Sequence, residues 1–300
     1  MKNTEGKPKG SRRKNVQRTL QERRLIIFLN NFYMSNNRSV LFIDSGIGGL
    51  PYCIDFNKKN PQEEICYLAD TKNFPYGPRG KDELALLLVS LTEKLIKSIN
   101  PKLIILACNT ATVSALPQLR MKFPQIPFVG TVPAIKPAAT VSQNRKVGIL
   151  GTRRTIEEIR ALNFANKTCD IFGIAAPELV EFIEKHFDKA SENEKTEIVR
   201  KYINIFHREG TDSLVLGCTH FLYLLEEFRR EASPSIVVFD SLEGITKRID
   251  FLLDENEGAL RVEKQFQPAH KLILTSETSD ILWQERAKTL GFELKLITEI

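Results

Sequence analysis

The chain has 300 residues, of which 42% are apolar and 27% charged, and its formal net charge is +6. This length and composition exclude a disordered chain and are typical of a globular protein with two lobes. The five cysteines are widely spaced and form no Cys-x-x-Cys pair, so a disulfide framework or metal site is not expected. Reduced thiols predict a cytoplasmic protein.

The positive charge is concentrated in residues 1–34, which hold nine Lys or Arg against two acidic residues. The remainder carries 34 basic and 35 acidic groups, so nucleic acid is an unlikely partner for the body of the protein. We expect residues 1–37 to be a disordered basic extension, and a targeting, lipid-binding or nucleic-acid-binding role for this arm stays open. Met34 shortly precedes the first clear strand and is an alternative start.

The apolar stretch at 25–34 is about half of the roughly 20 residues that a bilayer span requires, and two asparagines interrupt it. We therefore predict no transmembrane helix. A cleavable signal peptide is also a poor fit, because the apolar run is short and no small-residue cleavage site follows it.

Short apolar runs alternate with helical patterns along the rest of the chain. Their near-continuous hydrophobicity is typical of strands that are covered on both faces of a parallel sheet. The clearest helical patterns lie at 81–99 and 194–210. The alternation predicts an α/β fold. The predicted strands are 39–44, 64–69, 102–107, 146–151, 168–175, 213–217 and 235–240.

The sequence contains a weak internal repeat. In the first half Asp44 precedes Cys108 by 64 residues, and in the second Thr152 precedes Cys218 by 66, each at a predicted strand end. Two pseudo-symmetric lobes, each a mainly parallel sheet flanked by helices, would therefore place two thiols across one interlobe cleft. The predicted lobes are residues 38–133 with 239–300, and residues 134–238.

Both Cys108 and Cys218 fall where a strand meets a helix, the position at which open α/β sheets bind ligands. The positive end of the following helix should lower the pKa of each thiol from the roughly 8.5 of a free cysteine. The alternative is a pair of inert buried cysteines. Asn109 and Thr110 could hold a carboxylate or cap the helix, and His220 could relay a proton or merely pack.

Two turn-rich loops also follow predicted strands. "DSGIGG" at 44–49 could cradle a phosphate or carboxylate, but it has neither the dinucleotide-binding glycine spacing nor the P-loop Gly-Lys-Ser/Thr. Asp44 could orient or deprotonate a nearby group, or be only a turn residue. "NFPYGPRG" at 73–80 carries the hydroxyl of Tyr76 on the side where ligands bind.

Four motifs in this order, "FIDSGIGGL", "PYG", "ACNTAT" and "LGCTHF", resemble those of glutamate racemases over residues 39–250. These are amino-acid racemases that need no cofactor and supply D-glutamate for peptidoglycan. The resemblance implies a two-base reaction in which Cys108 acts on D-glutamate and Cys218 on L-glutamate. Asp44 would assist the first thiol and His220 the second. The substrate contacts implied are Asp44, Ser45, Pro75, Tyr76, Gly77, Asn109, Thr110, Thr152, Thr219 and His220.

The resemblance also implies an assisting glutamate at Glu184, seven residues after Pro177. Ala176 stands where relatives often have cysteine, so the match is poorer here, and a solvated helix face is the alternative for Glu184. A homodimer is common in the family but does not follow from these residues.

Two other functions compete with glutamate racemisation. A racemase of the same superfamily could act on aspartate or a hydantoin, although Thr219-His220 and the loop at 75–77 favour glutamate. A non-catalytic protein could use the cleft or the basic arm to bind a macromolecule, although the neutral body disfavours it.

Overall fold

The computed structural model describes residues 38–166, 169–258, 261–262, 268–277 and 281–297. The predicted basic extension at 1–37 lies outside this part of the chain. The described strands are β1 (Val40–Asp44), β2 (Ile65–Ala69), β3 (Leu103–Leu106), β4 (Phe128–Gly130), β5 (Lys146–Gly151), β6 (Asp170–Ala175), β7 (Ser213–Gly217), β8 (Val237–Phe239), β9 (Lys271–Leu274) and β10 (Glu293–Leu296).

Ten described α-helices connect and cover these strands. They are α1 (Leu50–Lys59), α2 (Lys81–Ile99), α3 (Asn109–Lys122), α4 (Ile135–Val141), α5 (Arg153–Asn166), α6 (Pro177–Lys185), α7 (Glu192–Arg208), α8 (Leu225–Ala232), α9 (Leu242–Gly258) and α10 (Ile281–Leu290). Short 3₁₀ helices lie at Thr71–Asn73, Phe187–Lys189 and Thr219–Leu224.

The described strands form two parallel sheets. The first has the order β10-β9-β2-β1-β3-β4, and the second has the order β6-β5-β7-β8. The chain leaves the first sheet after β4, builds the second, and returns with β9 after β8. The predicted α/β class with two parallel-sheet lobes is confirmed.

Helices cover both faces of the first sheet, which explains the unbroken apolar runs. In β1, Val40 and Phe42 pack against residues of α1 and α9, while Leu41 and Ile43 pack against α2 and α3. All four side chains are fully buried. Such a strand cannot show the alternating polarity of a half-exposed one.

The seven strands predicted from the sequence are present, with ends within two residues of those expected. The helix expected at 81–99 has those bounds, and it ends where Asn100 adopts a left-handed conformation with φ of 50°. The helix expected at 194–210 begins earlier, at Glu192, because Ser191 and Glu194 form a capping box. It ends before Gly210, whose φ is 69°.

Three strands, β4, β9 and β10, were not expected. They have only three or four residues, and β10 is an edge strand with partly exposed polar side chains, so its apolar pattern is weak. Within the described ranges, no helix is long and apolar enough to cross a membrane.

A buried ion pair lies at the amino-terminal end of the first sheet, between the segments that precede β2 and β3. Lys102 Nζ lies 2.5 Å from Glu63 Oε2, and both side chains are fully buried. Glu63 also accepts a hydrogen bond from the backbone N–H of Val262 at 3.2 Å. Burial lowers the pKa of Lys102, because the charged form loses its hydration.

Replacing Lys102 with methionine should therefore destabilise the protein by about 3–5 kcal/mol, because it leaves the Glu63 carboxylate buried without its cation. The matched control is Lys97→Met, which breaks an exposed pair with Glu93 and should cost about 0–1 kcal/mol. Urea unfolding of the two variants measures the difference. Equal losses would contradict the prediction.

Candidate active site

A cavity of about 920 Å³ lies between the two lobes, at the carboxyl ends of both sheets. Its walls come from the segments that follow β1, β2 and β3 of the first sheet and β5, β6 and β7 of the second. Both Cys108 and Cys218 line it. The position agrees with the rule that open α/β sheets bind ligands beyond their carboxyl ends.

The two cysteines occupy equivalent places in the two lobes. Cys108 directly precedes α3 with φ −145° and ψ 121°, and Cys218 directly precedes a 3₁₀ helix with φ −139° and ψ 134°. Only 8% and 7% of the two residues is exposed. The internal doubling of the sequence thus places two nearly buried thiols on one cavity.

His220 and Glu184 form a chain of contacts behind Cys218. His220 Nδ1 lies 3.8 Å from Cys218 Sγ, and His220 Nε2 lies 2.6 Å from Glu184 Oε1. Burial alone would lower the pKa of His220, but its hydrogen bonds to Cys218 and Glu184 outweigh this and raise the pKa well above its ordinary value. A protonated imidazole therefore lies beside the sulfur.

Glu184 also connects the two lobes. Its Oε1 accepts a hydrogen bond from the backbone N–H of Ile47 at 2.8 Å, although Glu184 belongs to α6 and Ile47 to the loop after β1. The side chain is 12% exposed, so Glu184 does not lie on a solvated helix face.

Asp44 lies behind Cys108 and is fully buried. Its Oδ1 accepts from the Ser45 backbone N–H at 2.6 Å, and its Oδ2 accepts from the Thr219 hydroxyl at 3.2 Å. Burial raises the pKa of Asp44 to about 6, although the nearby charge of His220 and hydrogen bonds with Ser45 and Cys108 oppose the rise. The carboxyl group therefore titrates close to neutral pH.

The expected lowering of the Cys108 pKa is wrong. Burial raises this pKa well above its ordinary value, and the charge of Asp44 adds to the rise. A hydrogen bond from the Ala111 N–H in the first turn of α3 acts in the opposite direction but is the smaller effect. The resting state of Cys108 is therefore the thiol.

The other residues implied as substrate contacts divide into two groups. Asp44 and Thr219 lie behind the cavity wall, where their side chains bond to each other. Tyr76 lines the cavity, and its hydroxyl donates to Asp70 Oδ2 at 2.7 Å. The wall of the cavity also contains Ser45, Pro75, Gly77, Asn109, Thr110, Thr152 and His220.

Two of the cavity-lining residues have notable hydrogen-bonding environments. Asn109 is 2% exposed, and neither polar atom of its side-chain amide has a partner among the described residues. A buried donor and acceptor without partners are suited to a polar ligand. Thr110 Oγ1 lies 2.9 Å from Thr152 Oγ1, so one hydrogen bond joins the two lobes beside the cavity.

Two tyrosines that the sequence analysis missed hold the loop at 44–49. The Tyr67 hydroxyl donates to the Gly46 carbonyl at 2.8 Å and accepts from the Gly49 N–H at 3.1 Å. The Tyr223 hydroxyl donates to the Ile47 carbonyl at 3.1 Å. For Tyr67 the available signal was its place within a fully buried strand, since a tyrosine hydroxyl must find a partner there.

Two thiols from opposite lobes, each with its own acid/base group, define a class of enzyme that exchanges protons on both faces of one carbon. A family model described as Asp/Glu/Hydantoin racemase matches residues 57–247. A glutamate racemase of Proteus mirabilis is 34% identical over 241 residues, covering 79% of this chain and 83% of its own. One of Shewanella sp. (strain ANA-3) is 32% identical over 275 residues, covering 88% and 98%.

Solved structures agree. Glutamate racemase of Escherichia coli, in complex with L-glutamate and the activator UDP-MurNAc-Ala, superposes with a TM-score of 0.74 at 28% identity, covering 86% of this chain and 97% of its own. Isoform RacE1 of Bacillus anthracis gives 0.71 at 26% identity, covering 87% and 97%. The chain therefore belongs to the Asp/Glu/Hydantoin racemase family, within which it groups with the glutamate racemases, and it is an isomerase.

Replacing Gly48 with alanine should impair the site without unfolding the protein. The added Cβ would lie 2.4 Å from His220 Nδ1 and 2.6 Å from Thr219 Oγ1, so His220 must move from its place beside Cys218. A displacement of this kind can lower turnover by about 100-fold.

The matched control is Gly244→Ala, whose Cβ meets no atom within 4 Å. Racemisation rates and thermal unfolding of both variants test the expectation. Unchanged turnover in Gly48→Ala would show that the position of His220 is not critical.

Proposed function

We propose that the protein interconverts L- and D-glutamate, with Cys108 and Cys218 acting on opposite faces of the substrate Cα. The observation that carries this proposal is that each thiol has a different buried acid/base neighbour, Asp44 for Cys108 and His220 for Cys218. The names of the similar racemases support glutamate as the substrate.

In the L-to-D direction, the Cys218 thiolate would take the α-proton, so the C–H bond breaks and an S–H bond forms. The Cys108 thiol would then deliver its proton to the other face of the carbanion, which inverts the configuration. The raised pKa of Cys108 suits this donor role. Afterwards His220 would release its own proton to solvent and take that of Cys218, which returns Cys218 to the thiolate, and Asp44 would carry a proton back to Cys108.

In the D-to-L direction, Cys108 must begin as the thiolate. Its proton would pass to Asp44, whose pKa of about 6 makes the carboxylate a base that works only above that pH. His220, with its raised pKa, would supply the proton that Cys218 delivers. The two directions thus place different demands on the two neighbours.

The carbanion needs hydrogen-bond donors aimed at its carboxylate and a cleft with little water. Asn109 offers a buried amide without another partner among the described residues, and Thr110 lies beside it on α3. The hydrogen bond between Thr110 and Thr152 would close the lobes over the substrate.

We further propose that the product serves peptidoglycan synthesis, as the family resemblance implies, and that the protein works in the cytoplasm. Thiol bases support this location, because they must stay reduced. We assign residues 38–133 and 239–300 to the first lobe and 134–238 to the second, and membership of the two sheets supports this division except at Phe239, which ends β8 of the second sheet. Light scattering by the purified protein would test whether it forms a homodimer.

Proton NMR in D2O with L-glutamate, D-glutamate and L-aspartate tests the proposed function. We expect the α-proton signal and the optical rotation to decay for both glutamate enantiomers but not for aspartate. Decay for aspartate alone would contradict the substrate assignment. Absence of exchange from all three would contradict racemisation and favour a binding protein.

Cys108→Ser and Cys218→Ser should each lower racemisation by at least about 1,000-fold, because serine is a far weaker acid at neutral pH. Cys108→Ser should still exchange the proton of L-glutamate without inversion, and Cys218→Ser that of D-glutamate. The control is Cys169→Ser, a half-buried thiol outside the cavity, which should turn over normally. Full turnover in either cavity variant would refute the two-base assignment.

The turnover number for D-glutamate should fall about tenfold per pH unit below about pH 6, because protonated Asp44 cannot take the proton of Cys108. Asp44→Asn should have a low rate without this acidic limb, since an amide does not titrate. Initial rates between about pH 5 and 8, a range that spans the pKa of Asp44, would measure both profiles. An unchanged acidic limb in Asp44→Asn would assign that titration to another group.

A further inference from the structure

The 3₁₀ helix that carries His220 is bonded at both ends to the loop that follows β1. At the start of the helix, the Thr219 hydroxyl donates to Asp44 Oδ2 at 3.2 Å. Near its end, the Tyr223 hydroxyl donates to the Ile47 carbonyl at 3.1 Å. The loop follows a strand of the first sheet and the helix follows a strand of the second. The two hydroxyl groups therefore set the position of His220 relative to the first lobe.

The backbone of Ile47 binds two side chains of the second lobe. Its N–H donates to Glu184 Oε1 at 2.8 Å, and its carbonyl accepts from Tyr223. The same Glu184 oxygen lies 2.6 Å from His220 Nε2. Ile47 is fully buried, where the low dielectric strengthens these hydrogen bonds. Tyr223 thus holds the residue to which the Glu184 carboxylate is bonded.

The ring of Tyr223 contacts the segment that carries Glu184. It packs edge to face on Phe187, with the ring centroids 5.1 Å apart and an interplanar angle of 72°. Phe187 lies in the 3₁₀ helix that follows α6, and Glu184 lies near the end of α6. This segment is also bonded to the first lobe, because Arg286 of α10 donates to Asp188 Oδ2 at 2.6 Å. Tyr223 therefore touches the elements on both sides of the contact between Glu184 and His220.

The contact made by the Tyr223 hydroxyl can be removed by itself. Burial of this hydroxyl raises the pKa of Tyr223 well above its ordinary value, so the group stays protonated and donates. Phenylalanine keeps the ring but lacks the donor. In Tyr223→Phe the Ile47 carbonyl would still accept from the Leu50 N–H at 2.9 Å, so the turn of the loop keeps its own hydrogen bond. Among the described residues, the cavity wall contains His220 but not Tyr223.

We propose that Tyr223 is a positioning residue for the acid/base pair of His220 and Glu184. Its hydroxyl and its ring hold the loop after β1, the helix of His220 and the segment after α6 in one arrangement. In that arrangement His220 Nδ1 stays beside Cys218 Sγ while Nε2 stays on Glu184. This inference rests on the proposed function, because it concerns proton transfer at Cys218. Tyr223 lies outside the cavity wall, so it acts on turnover and not on substrate binding.

Kinetics of Tyr223→Phe and Tyr202→Phe test the proposal. Tyr202 is the matched control, because it is a tyrosine of the second lobe whose hydroxyl donates to Glu178 Oε1 at 2.6 Å rather than to the loop after β1. Tyr223→Phe should lower kcat about 10-fold for both enantiomers with KM nearly unchanged, since a misplaced acid/base group slows proton transfer but leaves the substrate contacts in place. Tyr202→Phe should leave both constants nearly unchanged.

Nitrogen-15 NMR of the imidazole groups measures the protonation of His220 without turnover, and His220→Gln identifies its signals. The titratable groups facing His220 are Glu184 of α6, Asp44 after β1 and Cys218 at the end of β7. Burial lowers the pKa of His220, while its hydrogen bonds to Cys218 and Glu184 raise it. Loosening the Glu184 contact in Tyr223→Phe should therefore lower this pKa toward its ordinary value. The control variant should leave it unchanged.

A double variant tests whether Tyr223 acts through Glu184. Glu184→Gln alone should lower kcat, and adding Tyr223→Phe should lower it by less than about 2-fold more, because glutamine lacks the charge that Tyr223 positions.

The proposal would be overturned by an unchanged kcat or an unchanged His220 pKa in Tyr223→Phe. An equal loss of kcat in Tyr202→Phe, or a further loss of about 10-fold in the double variant, would also overturn it. Failure of the proposed function would appear differently, as an unmodified protein that exchanges no α-proton of glutamate. The titration of His220 does not depend on that exchange, so the two failures are distinguishable.

Discussion

The contact between Glu184 and His220 is the interaction on which the arrangement of the cleft depends. A buried imidazole would ordinarily be neutral, and the carboxylate 2.6 Å away favours its charged form. The same oxygen accepts the N–H of Ile47, so the charge on one lobe is fixed to the loop of the other. Gly46 has no side chain where Glu184 approaches, since a Cβ would lie 1.9 Å from its Oε1.

Burial gives the two thiols different resting neighbours. Cys108 faces a carboxyl group that titrates near neutral pH, whereas Cys218 faces an imidazole held protonated. Two thiols in identical surroundings would have the same protonation state. A two-base reaction instead needs one of them as the acid and the other as the base at a given time. The pseudo-symmetry of the backbone is therefore combined with an asymmetry of charge.

The sequence predicts those features of the site that depend on where the strands end. Both thiols, Asp44 and His220 follow buried apolar runs, so their meeting at one cleft could be expected before any geometry was known. The raised pKa of Cys108 could not be expected from the sequence. The effect of burial on this pKa exceeds that of the helix terminus, and the extent of burial depends on both lobes. Short strands such as β9 gave too little pattern, and the hydroxyl contacts of Tyr67 depend on a distant loop.

The double passage of the chain between the two sheets has a mechanical consequence. One connection follows β4 and the other follows β8, so two segments of the chain join the lobes. A single tether would permit twisting, but two side by side restrict relative motion to bending about one axis. Two connections therefore resist twisting of one lobe against the other, which is the motion that would change the alignment of Cys108 and Cys218 across the cleft.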